Sequence, residues 1–392
     1  VSGPGLRRVP PPDLDAVESD RVLVDAIRDE IARDGPITFA RFMERALYEP
    51  GHGYYRSVER RPGRAGDFLT APEAHPLFGR ALARFVAGVW TALGSPDRFT
   101  IREAGAGGGA LAESLLARLA AGDPALAAAV RYRPEEIEPR RLDDVRERLA
   151  AAGLDAPLEP DDGAPIVGAL IANEVLDALP THRVVLRGGR LREVRVGWRD
   201  GAFVDVETEP STPALARRLE GEGVRLDEGQ QGEVCLELEG WVARAAAGIE
   251  RGVLLLIDYG DPAERLYDAR RRPAGTLLAY LLHRAHDDVY RAVGRQDLTA
   301  HVDVTAVEAA AAAAGLDHLG TTTQGRFLAA LGAGELLVEL QGDTAAALPA
   351  YLEARAALVR MIDPAAMGGF KVMIFGRGLP PGTALSGLPE GP

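Results

Sequence analysis

The chain has a single cysteine, Cys235, so no disulfide can form within it and no cysteine-rich metal site can be built. Lysine is as scarce: Lys371 stands alone among 45 basic residues, all the others being arginine. That scarcity removes whole chemistries. A Walker A phosphate loop needs a lysine behind its glycines, and a Schiff-base enzyme would have only Lys371, inside the strand-like FKVMIFG. Neither H-E-x-x-H nor G-x-S-x-G occurs, which argues against a zinc site and a serine nucleophile. Long apolar runs are missing too; Val253 to Ile257 is among the longest and is far too short to cross a bilayer. Positive charge is in deficit, and a net charge of −13 argues against nucleic acid, whose phosphates need a basic surface. No charged-then-apolar segment opens the chain and no Arg- and Ser-rich leader precedes the core. The expectation is a cytoplasmic bacterial protein with no membrane insertion.

What remains is ample for folding. At 392 residues and 46% hydrophobic content, one large elaborated domain or two domains are expected. The proline-rich opening, Val1 to Pro12, reads as loose. Asp20 caps a helix with Leu23, Ile27 and Ile31 on one face, ended by Gly35-Pro36. Phe39, Phe42, Met43, Ala46 and Leu47 mark a second amphipathic helix. Thr70 and Glu73 have the spacing of a capping box for a helix running on through Leu77, Phe78, Ala81, Leu82, Phe85 and Val89. Strand patterns then alternate with helices at Phe99 to Ala104, Arg131 to Glu138, Ile166 to Ala172 and Val253 to Tyr259, the signature of a parallel sheet covered on both faces. Between the last two, Gly188-Gly189 and Asp200-Gly201 predict hairpin turns. An alanine-rich helix, Thr305 to Ala314, and the strands Leu319 to Gln324 and Phe370 to Gly376 close the fold with an antiparallel edge. The expected division is a helical preface over 1–90, a core over 91–182, a β-rich insertion over 183–250, core completion with a helical insertion over 251–378, and a disordered tail over 379–392.

The chemistry concentrates at strand ends. FTIREAGAGGG, residues 99–109, is a strand, an acid (Glu103) and a glycine turn at Gly105, Gly107, Gly108 and Gly109, followed at once by a helix. Gly105, Gly107 and Ala110 satisfy G-x-G-x-x-G/A, so a dinucleotide must be weighed. The ribose-binding acid expected about 20 residues on is absent, however. The better acid is Glu136, 31 residues beyond Gly105 at the end of the second strand. Glu103 with the glycines and a second-strand acid is the pattern of S-adenosyl-L-methionine (SAM) binders. A second polar strand end, Asn173-Glu174 with Asp177 beyond it, sits where open α/β sheets bind ligands. Asp258-Tyr259-Gly260 ends another buried strand and reads more simply as a turn. His283 and His286 fall three apart on a possible helix, without the partners a metal site needs.

Together ALYEPGHGYY, GDFLTAPEAHPLFG, EAGAGGG, IANEVLDALPTH, LLLIDYG, GTLLAYLLHRAHDDVYRAVGRQDLTAHVDV, TTQGRFL and MGGFKVMIFGR, in this order, resemble the MidA-like family of SAM-dependent methyltransferases. The resemblance spans about Ile37 to Arg377. It implies an α/β class I methyltransferase fold: a Rossmann-like, mostly parallel seven-stranded sheet with a helical N-terminal preface and an inserted α+β substrate region. It implies SAM as cofactor, held by Glu103, Gly105, Gly107, Gly109 and Glu136, with Asp67, Phe68 and Thr70 closing over it. Catalysis would fall to Glu174, with Asp177 assisting and Asn173 orienting, and no metal. The second strand, YRPEEIEP, departs from the family pattern, which leaves Glu138 as the alternative to Glu136. The implied substrate is a protein arginine, in relatives a respiratory complex I subunit; the competing possibility is a silent SAM-binding assembly factor. Tyr54-Tyr55, read as exposed, would serve either a homodimer interface or a substrate channel.

Overall fold

Asp20 opens the first helix, α1 (Arg21–Asp34), by accepting the Leu23 N–H at 3.0 Å, and Gly35 closes it at φ +80°. The structure, a computed structural model, describes residues 13–57, 69–341 and 348–388. Thr38 caps α2 (Phe39–Tyr48) through the Arg41 N–H. The expected capping box at Thr70 does not form: α3 (Ala71–Ala74) has no side-chain cap bond, and α4 (Leu77–Ala92) is a separate helix. Pro76 causes the break between them, because the residue before a proline is driven out of the helical region, and His75 is accordingly extended.

The core follows as β1 (Phe99–Ala104), α5 (Ala110–Ala120), β2 (Val130–Glu135), α6 (Arg141–Ala151) and β3 (Ile166–Asn173). Next come the insertion strands β4 (His182–Arg187), β5 (Arg190–Arg199) and β6 (Ala202–Thr208), joined by the two expected turns, with Gly188, Gly189, Asp200 and Gly201 all at positive φ. Helix α7 (Leu238–Ala247) leads into β7 (Ile249–Asp258). The strands β8 (Leu278–Leu281), β9 (Arg284–His286) and β10 (Asp297–Thr299) form a small antiparallel sheet. His283 and His286 therefore lie on a hairpin, not a helix. The fold closes with α8 (Val304–Ala313), β11 (Asp317–Thr323) and β12 (Lys371–Arg377).

The central sheet has six strands, not seven, in the order β11-β12-β7-β3-β1-β2, with only β12 running against the others. A seventh position survives as one parallel bridge, Leu158 beside Tyr132. Pro157, Pro160 and Pro165 crowd that segment, and prolines cannot donate to a ladder. One face of the sheet buries Leu77, Phe78, Phe85, Leu111 and Leu115 from α4 and α5; the other buries Leu238, Val242, Val304 and Val307 from α7 and α8. Near-continuous apolar strands such as VLLLI are what a sheet covered on both sides requires.

The preface divides in two. Helix α4 packs on the central sheet, whereas α1 and α2 pack on the insertion, where the Phe42 ring meets Phe203 and Tyr290 edge-on, each at 5.3 Å. The tail is not disordered over its described part: Leu385 is buried in the same cluster as Phe327. Asp67 and Phe68 lie outside the described residues.

Candidate active site

The carboxyl ends of β1, β2, β3 and β7 point to one edge, and two cavities open there. The first, about 580 Å³, is lined by Thr70, Glu103, Gly105, Gly107, Gly108, Glu136, Asn173 and Glu174, among others. Its floor is main chain. Gly105 and Gly107 take φ +71° and +54°, and a Cβ on Gly105 would stand 2.9 Å from Val175 Cγ2. Glycine alone gives this conformation without strain and leaves room for a ligand against the backbone. Gly109 does not line the cavity; its φ of +77° starts α5, and a Cβ there would stand 3.3 Å from Val145.

Glu136, at the end of β2, accepts the Gly107 N–H at 2.7 Å and the Ile137 N–H at 3.1 Å, so it also fixes the glycine turn. Burial raises its pKa, with Arg141 and the backbone N–H groups opposing. Glu138, the alternative, pairs with Arg56 at 3.5 Å and is not part of the lining. Glu103 accepts the Tyr132 hydroxyl, and burial pushes its carboxyl up to about 8 against that bond. An adenosine with two ribose hydroxyls and an amino-acid tail fits this donor set: carboxylates at the ends of β1 and β2, bare backbone between them, and a helix N-terminus beyond.

Sequence alone placed Glu174 at a strand end; the structure adds an unusual conformation. Its φ is +54°, a left-handed value that costs a non-glycine residue about 1–2 kcal/mol. Its Oε1 accepts Asn173 Nδ2 at 3.0 Å and the Ala71 N–H at 3.4 Å. Burial pushes the carboxyl up to about 8, and the nearby Asp177 adds to the shift. Asp177 accepts the Tyr259 hydroxyl through Oδ2, and burial raises it to about 6. The second Asp177 oxygen is buried with no hydrogen-bond partner among the described residues, as is Asn173 Oδ1.

A second cavity, about 730 Å³, lies beyond this wall. Glu174 and Tyr55 line both cavities, and Asp177 lines only the second of the two. Tyr54, expected on the surface, is buried at 1% exposure, while Tyr55 stacks on Tyr48 with ring centroids 5.7 Å apart. Two residues at the ligand-facing edge, for which a turn was the simpler reading, belong to this site. Asp258 accepts the N–H groups of Val175, Leu176 and Asp177, and Tyr259 holds Asp177. Their signal was a strand ending in D-Y-G at the same sheet edge, although the bonds span more than 80 residues.

A family model describing S-adenosyl-L-methionine-dependent methyltransferases matches residues 81–322. The protein arginine methyltransferase NDUFAF7 homolog, mitochondrial, of Drosophila melanogaster is 31% identical, covering 88% of this chain and 82% of its own. The Xenopus tropicalis protein arginine methyltransferase NDUFAF7, mitochondrial, is 27% identical over 83% and 80% of the two chains. A Burkholderia thailandensis protein crystallised with S-adenosyl-homocysteine is 37% identical, covers 97% of each chain and superposes with a TM-score of 0.84. This chain belongs to that family of SAM-dependent methyltransferases, and SAM is its cofactor.

Proposed function

We propose that this methyltransferase acts on arginine side chains of a protein, the first cavity holding the donor and the second the acceptor. The observation that carries the proposal is the wall between them. Asp177 is a buried carboxylate and Glu174 a half-buried one, and neither has an ion-pair partner among the described residues. Such groups are costly until a cation joins them, and a planar guanidinium can satisfy two carboxylates at once. The names of the fly and frog relatives support the same substrate class.

Glu103 and Glu136 would hold the donor against the glycine turn, with Asn173 at the junction. When bound, the donor supplies an electrophilic methyl on a sulfonium. The rest falls to the chain. A guanidinium, with a pKa above 12, is a poor nucleophile and must lose a proton as it gains the methyl. Asn173 and the Ala71 N–H both engage Oε1 of Glu174, which leaves Oε2 to bind the guanidinium and take that proton. Asp177, fixed by Tyr259, presents its other oxygen and holds the positive charge away from the reacting nitrogen.

A respiratory-complex subunit is the client that the sequence resemblance suggests. The test is isotopically labelled methyl transfer into host proteins, followed by hydrolysis and identification of the methylated residue, with a deletion strain as control. Labelled methylarginine that disappears in the deletion strain supports the proposal. Donor binding without any label would leave a silent SAM-binding protein in its place.

A further inference from the structure

The acceptor cavity is electrically lopsided. Glu174, which also lines the donor cavity, stands with Asp177 on one side, and Asp297 is a further carboxylate of the lining. Elsewhere the lining carries Lys371, Arg265 and His301 around one carboxylate, Asp261. Asp261 accepts Lys371 Nζ at 3.1 Å and Arg272 Nη2 at 2.9 Å, and Arg265 Nε lies 3.8 Å away. Three cations thus share one acid among the described residues, in a chain whose net charge is −13. Arg41, by contrast, pairs with both Glu30 and Glu44.

Lys371 itself is set apart. It is the only lysine in a chain that otherwise uses arginine, so a compact ammonium stands where a guanidinium fork would be the default. Its side chain is 19% exposed. An ammonium has three donors. Asp261 takes one and the Gly369 carbonyl stands at 3.5 Å, which leaves capacity for a ligand in the cavity. Its position in the sheet gives the scale: Lys371 lies opposite Asp258, and Asn173 lies opposite Ile257 on the next strand over. Two strand spacings put its backbone roughly 10 Å from the Asn173-Glu174 turn, which is about three residues of extended peptide.

We propose that this end of the acceptor cavity binds a carboxylate carried within about three residues of the methylated arginine, with Lys371 as its ion-pair partner and Arg265 assisting. The inference rests on the arginine assignment above. An acidic side chain and a chain-terminal carboxylate share this chemistry, and the choice of peptides separates them. A lysine that only tied β12 to Asp261 would affect stability but not discriminate between acidic and amide peptides.

The experiment measures labelled methyl transfer into peptides with one central arginine. They are flanked by Glu or by Gln, and end in a free carboxylate or an amide. The wild type is expected to favour the Glu peptide over the Gln peptide by about tenfold in kcat/KM, with the difference in KM. A preference following the C-terminal carboxylate instead would identify that group as the ligand. Lys371→Gln should bring the ratio close to one, and Lys371→Arg should keep most of it. Should Lys371→Gln fail to fold, the more exposed Arg265→Gln is expected to lower the ratio partway. If arginine peptides are labelled equally with and without a carboxylate, or if Lys371→Gln leaves the ratio intact, the inference is overturned and the arginine assignment stands. If no arginine peptide is labelled in any context, the arginine assignment falls and takes the inference with it.

Discussion

The Asp258 carboxylate accepts the Leu176 N–H at 2.9 Å, and the same oxygen is within 3.2 Å of the Val175 N–H and 3.4 Å of that of Asp177. One carboxylate on β7 therefore clamps the turn that leaves β3, immediately after the residue held at φ +54°. Asp258→Ala strands those N–H groups in a buried place, with an expected loss of about 3 kcal/mol in urea denaturation. Because Glu174 would shift with the turn, turnover should fall about 100-fold, a loss typical of ångström-scale misplacement. Reduced stability with normal turnover would mean that Asp258 supports the fold only.

Glu174 carries the heaviest functional expectation. Glu174→Gln keeps the shape and the hydrogen bonds to Oε1 but cannot take a proton. Turnover should drop by roughly 10²–10⁴, with donor affinity by calorimetry within about twofold. Glu174→Gly is the complementary variant, since it removes the carboxylate and relieves the left-handed backbone together. It should be equally inactive yet no less stable than the wild type, because the relief offsets the added freedom of the unfolded glycine. A stable and active Glu174→Gly protein would end its assignment as the base.

Much of this architecture was legible because its signals are local. An apolar run that ends in glycines announces a strand and a turn without help from distant residues, and β1, β3, β7 and both insertion hairpins lie where their patterns put them. The failures share a cause, which is competition from a neighbour. The Thr70 and Glu73 spacing suited a capping box, but Pro76 divided the helix. The resemblance implied a seventh strand, and the prolines around Leu158 leave only a single bridge there. Tyr54 looked exposed in a glycine-rich turn, yet tertiary packing buries it. At the site, Glu103, Gly105, Gly107, Glu136, Asn173 and Glu174 converge on one cavity, while Asp177 turns to the second. The roles of Asp258 and Tyr259 depend on contacts across the sheet that no local pattern encodes.

The glycine floor offers a sharper test of the donor site. Gly105→Ala must place a methyl 2.9 Å from Val175 Cγ2 while holding φ +71°. Both demands disturb the same cavity wall, and SAM or S-adenosyl-homocysteine should bind about tenfold more weakly, a cost of ~1.4 kcal/mol. Val175→Ala in that background removes the clash but not the strained φ, so calorimetry should show partial recovery only. Full recovery would assign the whole effect to the contact, and no loss at all would place the donor elsewhere.

Buried acids at the site also set a pH dependence. Glu174 and Glu103 are both pushed up to about 8, chiefly by burial, from an ordinary value of 4.5. A carboxyl whose folded pKa is raised binds a proton that the unfolded chain has already released. Its stabilising contribution is complete below about 4.5 and is lost as pH climbs through about 8. Acids shifted the other way, such as Asp20 and Glu193, act at the acid end of the scale and leave this window clear. The free protein should therefore melt at progressively lower temperature between pH 5 and 8.5, measured at constant ionic strength. Glutamine at 174 stays neutral throughout, so Glu174→Gln should gain on the wild type as pH rises across that window, by an amount on the order of 1–3 kcal/mol. Adding an arginine peptide supplies the missing cation and should narrow the gap. Parallel melting curves for the two proteins across the window would mean that Glu174 is already ionised at neutral pH, and the proton it is proposed to accept would then meet a carboxylate that needs no cation to charge it.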